Sequence, residues 1–169
     1  MTLSLEKTLR QSLTPTLTIL VSVLICAVPW GVRASIAFVL PLATAMLIFL
    51  YAVRPNVLLP PWLAFLVGIL TDLLTGGPLG YWALLFVIAH GIGRSLPFED
   101  NRRFLRLWPS YLLAAIVIGS FAWIVGSAYY MRLIDWRPLA IALVAVSLVF
   151  PLLLRIAGFR RKLGVWTDG

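Results

Sequence analysis

Long apolar stretches separated by short polar breaks dominate this 169-residue chain. The runs Leu17 to Val28 and Ile141 to Phe150 are almost continuously apolar and lack the strict alternation of a membrane β-strand. A helix needs roughly 20 apolar residues to cross a bilayer core about 30 Å thick. The pattern predicts six membrane helices, at Thr14 to Trp30, Ala34 to Val53, Val57 to Leu74, Leu79 to Gly93, Leu107 to Met131 and Pro138 to Ile156.

Composition supports the same class of protein. Hydrophobic residues make up 62% of the chain and charged residues 12%, whereas soluble domains carry roughly 25% charged residues. We therefore expect an all-α polytopic membrane protein, a bundle of six transmembrane helices. The expected domains are a short cytoplasmic N-terminal segment at 1–13, the transmembrane domain at 14–157 and a basic cytoplasmic tail at 158–169.

The basic residues predict the orientation of the helices. If both termini are cytoplasmic, three basic residues lie outside, Arg33, Arg132 and Arg137. The other eleven lie inside: Lys7, Arg10, Arg54, Arg94, Arg102, Arg103, Arg106, Arg155, Arg160, Arg161 and Lys162. This asymmetry is what the positive-inside rule predicts. The net charge of +8 then reflects topology, and we expect no nucleic-acid partner.

Aromatic residues gather near the predicted helix ends, where amphipathic rings prefer the headgroup layer. They are Trp30, Tyr51, Tyr81, Trp82, Trp108, Tyr111, Tyr129, Tyr130 and Trp136. Trp123 is the exception because it falls in the middle of the fifth helix. Its indole N–H needs a hydrogen-bond partner, and a packed helix interface is favoured over a ligand.

Few residues offer catalytic or metal-binding chemistry. The single cysteine, Cys26, and the single histidine, His90, both lie inside predicted helices. A thiol packed among apolar groups and an imidazole hydrogen-bonded across helices are favoured over a reactive thiol or a proton relay. No spacing of His, Cys and carboxylates matches a metal site or a protease triad. We expect no enzymatic activity and no cofactor.

Asp72 is the only acidic residue inside a long apolar run. An ionisable side chain in a membrane helix is costly, so it is by default a hypothesis about function. Ala64, Gly68, Asp72 and Gly76 recur every four residues and form one face of the third helix. Such a face of small residues lets a neighbouring helix approach closely. The position is unusual, because a carboxylate in the last turn faces the negative end of the helix dipole.

Two interpretations of Asp72 remain open and are compatible. In the first, Gly76 or Gly77 ends the third helix, Pro78 lies in the first turn of the fourth, and Asp72 accepts hydrogen bonds from free N–H groups at the turn. In the second, the carboxylate and the outward turn present a surface to another membrane protein.

The segment Gly68 to Gly80 follows the pattern G-x-x-x-D-x-x-x-G-x-P-L-G. Together with the aromatic-rich fourth helix and the exit at Gly93 and Arg94, it resembles the MreD family of bacterial rod shape-determining membrane proteins. The resemblance in sequence covers helices three and four; elsewhere it consists of hydropathy and helix number. The motif positions carried over are Gly68, Asp72, Gly76, Gly77, Pro78, Leu79 and Gly80, with Arg94 as a weaker candidate.

The resemblance implies a non-enzymatic subunit of the cell-elongation complex in the bacterial inner membrane. Such a subunit works with MreC, MreB, RodA and a class B penicillin-binding protein to direct lateral peptidoglycan synthesis. The alternative is a small-solute-binding subunit of an energy-coupled transporter, because such subunits are also small six-helix proteins. Stoichiometry stays open, and the bundle could also form a homo-oligomer.

Overall fold

The structure is a computed structural model that describes residues 2–27, 38–54, 57, 59–96 and 104–162. This part of the chain contains six helices and no strand: α1 (Thr2–Ala27), α2 (Val39–Ala52), α3 (Pro61–Thr75), α4 (Tyr81–Ser95), α5 (Phe104–Tyr129) and α6 (Arg137–Lys162). The predicted all-α class is confirmed. The predicted first outer loop with Arg33, the helix end at Trp30, and Arg102 and Arg103 lie outside the described residues.

The helix bounds differ from the predicted spans in several places. α4 spans Tyr81–Ser95 and not Leu79 to Gly93, and α5 spans Phe104–Tyr129 and not Leu107 to Met131. α1 begins at Thr2 and α6 continues to Lys162, so helix extends into both predicted terminal segments. The predicted bounds were set where the apolar runs end. A helix can continue beyond such a run, because Lys, Arg and Glu also have high helix propensity. α3 is shorter at its start than predicted, because Pro60 is extended and Pro61 occupies the first helical position, which needs no N–H donor.

α4 occupies the middle of the bundle. It packs against α2, α3 and α5, while α2 also contacts α1 and α6. Phe86, Ala83 and Ala89 of α4 are fully buried, as is Ile48 of α2. The core therefore forms around the α2–α4 pair, and the other four helices surround it.

Glycines set the closest approaches to α4. A Cβ atom at Gly68 of α3 would lie 2.5 Å from the backbone nitrogen of Ala83 and closer still to its Cα. On the other side, a Cβ atom at Gly93 would lie 2.9 Å from the carbonyl oxygen of Phe49 in α2. The small-residue face predicted for helix three is thus the face that contacts α4, as close helix packing requires.

Two of the aromatic residues predicted at the headgroup layer are core residues. Trp82 is buried among Phe38, Tyr81 and Phe86. Tyr111 is stacked on Phe150 at a centroid distance of 4.1 Å. The prediction was wrong for these two because position near a helix end does not specify which face a ring occupies.

Trp123 has the hydrogen-bond partner that its position required. Its Nε1–H donates to the carbonyl oxygen of Ile134 at 2.8 Å. The acceptor lies in the loop between α5 and α6, not on a neighbouring helix. The indole therefore fixes that loop against α5.

The outer surface of the bundle is strongly apolar. Exposed large hydrophobic residues occur on every helix except α2, among them Leu17, Val21, Trp62, Phe65, Leu66, Leu84, Leu113, Ile116, Phe121, Ile124, Ile141, Val144 and Leu148. Within the described residues one segment, Leu107–Tyr129 in α5, is long and apolar enough to cross a membrane. Four further apolar helical segments are shorter, Pro15–Cys26, Val39–Ala52, Pro61–Thr75 and Arg137–Leu152.

Gly68→Ala should destabilise the protein by about 1–3 kcal/mol, the usual cost of overpacking, because the new methyl group meets backbone that cannot rotate away. Unfolding in detergent micelles measures this. Gly91→Ala in α4 is the matched control, since a Cβ atom there has no heavy atom within 4 Å; it should be neutral or stabilising. Equal behaviour of the two variants would contradict the assigned α3–α4 contact.

Candidate functional site

The connection between α3 and α4 is a short turn shaped by two glycines. Gly76 has a φ of 65° and Gly80 a φ of 92°, values that favour glycine because it has no Cβ atom. The N–H of Gly77 donates to the carbonyl oxygen of Asp72 at 3.2 Å. The donor, Gly77, follows the left-handed Gly76, and the acceptor lies five residues before the donor. This pattern is typical of the Schellman motif at the end of a helix.

The carboxylate of Asp72 completes the other side of the same turn. Its Oδ2 accepts a hydrogen bond from the N–H of Gly80 at 2.8 Å, and its Oδ1 accepts one from the N–H of Trp82 at 2.9 Å. Asp72 is 0% exposed. One residue therefore ends α3 through its main chain and begins α4 through its side chain.

These bonds explain how a carboxylate is stable in the last turn of α3. The first N–H groups of a helix have no partner within the helix and form the positive end of its dipole. Gly80, the residue that precedes α4, has no side chain to cap them. Asp72 supplies the missing acceptor from the neighbouring helix, so the favourable α4 terminus offsets the unfavourable end of its own helix.

The first sequence interpretation is confirmed for Asp72 and for Gly76, but the position predicted for Pro78 was wrong. α4 begins at Tyr81, and Pro78 lies in the turn, where its carbonyl oxygen accepts the N–H of Tyr81 at 3.1 Å. The positive φ of Gly80 interrupts the helix before Tyr81. This extra turn is what directs the N–H groups of Gly80 and Trp82 toward α3.

The exposed part of the hairpin is mostly apolar, with Thr75 as its polar side chain. Leu79 at the tip of the turn is 70% exposed, and Leu73 on α3 is also exposed. Asp72 has no free surface, so its carboxylate is not available to touch a partner directly. The surface that the hairpin offers to a partner consists of Leu73, Leu74, Thr75, Gly76 and Leu79.

A tyrosine ties the hairpin to the rest of the bundle. The hydroxyl of Tyr81 donates to the carbonyl oxygen of Ala122 in α5 at 3.1 Å. Gly126, one turn further along α5, also lies beside the Tyr81 ring. The hairpin therefore adjoins the C-terminal end of α5. Sequence reasoning placed Tyr81 at the headgroup layer and missed this bond, because nothing in the chain marks which carbonyl a buried hydroxyl will reach.

Arg94 is not part of this hairpin. It is exposed in the last turn of α4, and the 13 positions from Tyr81 correspond to about 20 Å along a helix. Of the motif positions predicted from the sequence, the structure brings together Gly68, Asp72 and the residues Gly76 to Gly80, and leaves Arg94 at the opposite end.

His90 is also remote from Asp72. It is buried, and its Nε2 lies 2.8 Å from the carbonyl oxygen of Leu59, the residue before the Pro60–Pro61 start of α3. Since a carbonyl can only accept, Nε2 carries the proton in this bond. The prediction that the imidazole is hydrogen-bonded within the protein is confirmed, but the partner is a carbonyl of the connection before α3 and not a group on a neighbouring helix.

A pair of hydroxyl groups between α1 and α2 was missed by the sequence reasoning. The hydroxyls of Ser22 and Thr44 lie 2.7 Å apart, and Thr44 also donates to the carbonyl oxygen of Leu40 at 3.2 Å. The thiol of Cys26 donates to the carbonyl oxygen of Ser22 at 3.3 Å. A signal was present, since all three polar residues lie in apolar helices, but the pairing of α1 with α2 was needed to find it.

The buried polar side chains are hydrogen-bonded, mostly to backbone groups. Among the described residues no buried side-chain nitrogen or oxygen lacks a hydrogen-bond partner. The same residues include no group of three His, Cys, Asp or Glu side chains that could hold a metal ion. The arrangement thus stabilises a helix hairpin and presents no orphaned polar atom to a ligand.

No protein-family description, curated protein or solved structure matches this chain.

Replacing Asp72 tests the capping role. Asp72→Ala leaves the N–H groups of Gly80 and Trp82 without an acceptor, and each such loss costs about 1–3 kcal/mol. Asp72→Asn keeps one acceptor oxygen and should lose less. We expect the free energy of unfolding, measured by chemical unfolding in detergent, to decrease in the order wild type, Asp72→Asn, Asp72→Ala.

Asp135→Ala is the matched control. Asp135 also accepts a backbone N–H at a helix start, from Arg137 at 3.1 Å, but it is exposed. Water can replace the lost acceptor there, so the cost should be at most about 1 kcal/mol. If Asp72→Ala were no more destabilising than Asp135→Ala, the buried cap would be unimportant for stability.

Proposed function

We propose that this protein is a membrane-embedded, non-enzymatic scaffold of the bacterial cell-elongation complex, of the MreD type. In this role it holds an MreC-type protein and, with MreB, RodA and a class B penicillin-binding protein, helps to organise lateral peptidoglycan synthesis. The observation that carries the proposal is an apolar outer surface together with a core in which, over the described part of the chain, every buried polar side-chain atom already has a hydrogen-bond partner. Such a protein is equipped to contact lipid and other membrane proteins.

The outer surface supports a location in the bilayer. Soluble monomers rarely expose large contiguous apolar patches, yet α5 exposes Leu113, Ile116, Phe121 and Ile124 along its length. Its 23-residue apolar segment is about 34 Å long, enough for a hydrocarbon core of about 30 Å. α1 and α6 also expose leucines and valines.

The shorter helices fit this location if their neighbours shield their ends. α4, with 15 residues, is about 22 Å long and lies between α2, α3 and α5. Backbone outside a helix is tolerated at membrane depth where protein surrounds it. We propose that all six helices belong to the transmembrane unit, with both termini on the cytoplasmic side as the basic residues favour.

The α3–α4 hairpin is the proposed contact with the partner. Asp72 and Tyr81 fix its geometry from within, and Leu79 and Leu73 project from it. A turn that is pre-organised loses little conformational entropy on binding. The motif positions shared with MreD proteins would then act through shape: Gly76 and Gly80 form the turn, and Asp72 holds it.

The solute-carrier alternative has less support. Carriers place polar and ionisable groups around a site near the bilayer midplane. Here the carboxylate of Asp72 and the imidazole of His90 are each engaged with backbone groups of the protein. Both would have to leave these partners before they could bind a solute.

A photoreactive side chain in place of Leu79 tests the scaffold proposal in native membranes. We expect crosslinks to an MreC-like protein or to a penicillin-binding protein, identified by mass spectrometry. The same substitution at Trp62 is the matched control, because Trp62 is similarly exposed but lies at the opposite end of α3. Recovery of only lipid or of the protein itself from Leu79, with normal insertion, would contradict the proposed surface and favour the carrier.

A further inference from the structure

The loop between α5 and α6 exposes large apolar and aromatic side chains. Met131 is 94% exposed, Leu133 81% and Trp136 62%, and Tyr129 and Tyr130 at the end of α5 are exposed as well. We refer to residues 129–137 as the aromatic loop. Exposed apolar groups that occur together rather than singly usually mark an interaction surface.

Hydrogen bonds hold the aromatic loop in this conformation. The indole of Trp123 donates to the carbonyl oxygen of Ile134 at 2.8 Å, and the N–H of Ile134 lies 3.3 Å from the hydroxyl oxygen of Ser127, which accepts it. The N–H of Arg132 donates to the carbonyl oxygen of Ser127 at 3.2 Å. These bonds fix the loop backbone against α5, while Met131, Leu133 and Trp136 remain exposed.

Met131 stands where the backbone favours glycine. Its φ is 49°, and the bond from Arg132 back to Ser127 repeats the five-residue bond from Gly77 back to Asp72 at the end of α3. At the end of α3 the left-handed residue is Gly76. A side chain in this conformation is unfavourable, and Met131, which is 94% exposed, gains no compensating burial against the residues that the structure describes.

The position of the loop points to the lipid headgroup layer. The aromatic loop directly follows Leu107–Tyr129 of α5, the segment that is long and apolar enough to cross a bilayer, so it lies beyond the end of that segment. Tyrosine and tryptophan rings prefer the membrane–water interface, where one edge is apolar and the other hydrated.

The charges of the loop fit phosphate groups. Arg132 and Arg137 are exposed, and arginine binds phosphate through paired N–H donors. Asp135 is the only acidic residue in the loop, and one of its oxygens accepts the N–H of Arg137.

We propose that the aromatic loop is a phospholipid-binding anchor on the outer side of the membrane. Met131, Leu133 and Trp136 enter the interfacial layer, while Arg132 and Arg137 contact lipid phosphates. The inference rests on the proposed membrane location but is independent of the cell-elongation role.

Depth-dependent quenching tests the anchor with the full-length protein in lipid nanodiscs. In a Cys26→Ser background, an environment-sensitive fluorophore is attached to Met131→Cys and, separately, to Leu133→Cys. The nanodiscs contain phosphatidylcholine and phosphatidylglycerol with a spin label either near the headgroup or in the middle of the acyl chain. We expect stronger quenching by the headgroup-proximal label and protection from aqueous iodide.

A fluorophore at Ile116→Cys is the control that distinguishes failure of the anchor from failure of the membrane location. Ile116 is exposed on the apolar face of α5. Quenching of this control by the mid-chain label, with both loop positions fully open to iodide and unquenched by lipid, would overturn the anchor alone and favour a protein partner for the loop. Absence of lipid quenching at Ile116 as well would overturn the membrane location and the anchor together.

Neutralising the two arginines tests the phosphate contacts. Arg132→Gln and Arg137→Gln should each lower the preference of the Leu133 fluorophore for spin-labelled phosphatidylglycerol over phosphatidylcholine, by about fivefold per charge. An unchanged preference in the double variant would overturn the assigned role of the arginines.

Discussion

The hydrogen bonds from Gly80 and Trp82 to the carboxylate of Asp72 are the constraint on which the arrangement of this bundle depends. They join the end of α3 to the start of α4, where the first N–H groups of α4 have no acceptor within their own helix. α4 is the helix that contacts α2, α3 and α5. Its starting point and direction therefore set the positions of most of the core.

Close packing below the turn depends on the same geometry. Gly68 lies one helical turn before Asp72 on the same face and allows the α3 backbone to touch Ala83. A side chain at position 68 would push α4 away and take the N–H of Trp82 out of reach of the carboxylate. The glycine contact and the carboxylate cap are thus two parts of one helix pair, and Tyr81 fixes that pair to α5.

α3 and α5 both end with a residue of positive φ, but the two residues differ. At α3 a left-handed glycine closes the helix and leaves a compact turn with Leu79 at its tip. At the end of α5 the left-handed residue is Met131, and the equivalent bond runs from the N–H of Arg132 to the carbonyl oxygen of Ser127. The side chain of Met131 projects outward. The proposed roles follow from this difference, because a pre-organised turn suits a protein partner whereas projecting apolar and basic side chains suit a lipid interface.

The sequence by itself determined the helical class, the approximate location of six helices, and Asp72 with its flanking glycines as the unusual feature of the chain. Each of these depends on local properties: apolar runs, turn residues and the cost of a carboxylate among apolar groups. Only the tertiary structure decided that Pro78 lies in the turn, that Trp82 and Tyr111 face the core, and that Asp72 is fully enclosed. Those features depend on which face of one helix meets another, and residues distant in the chain, such as Ala122 for Tyr81 and Leu59 for His90, supply the partners.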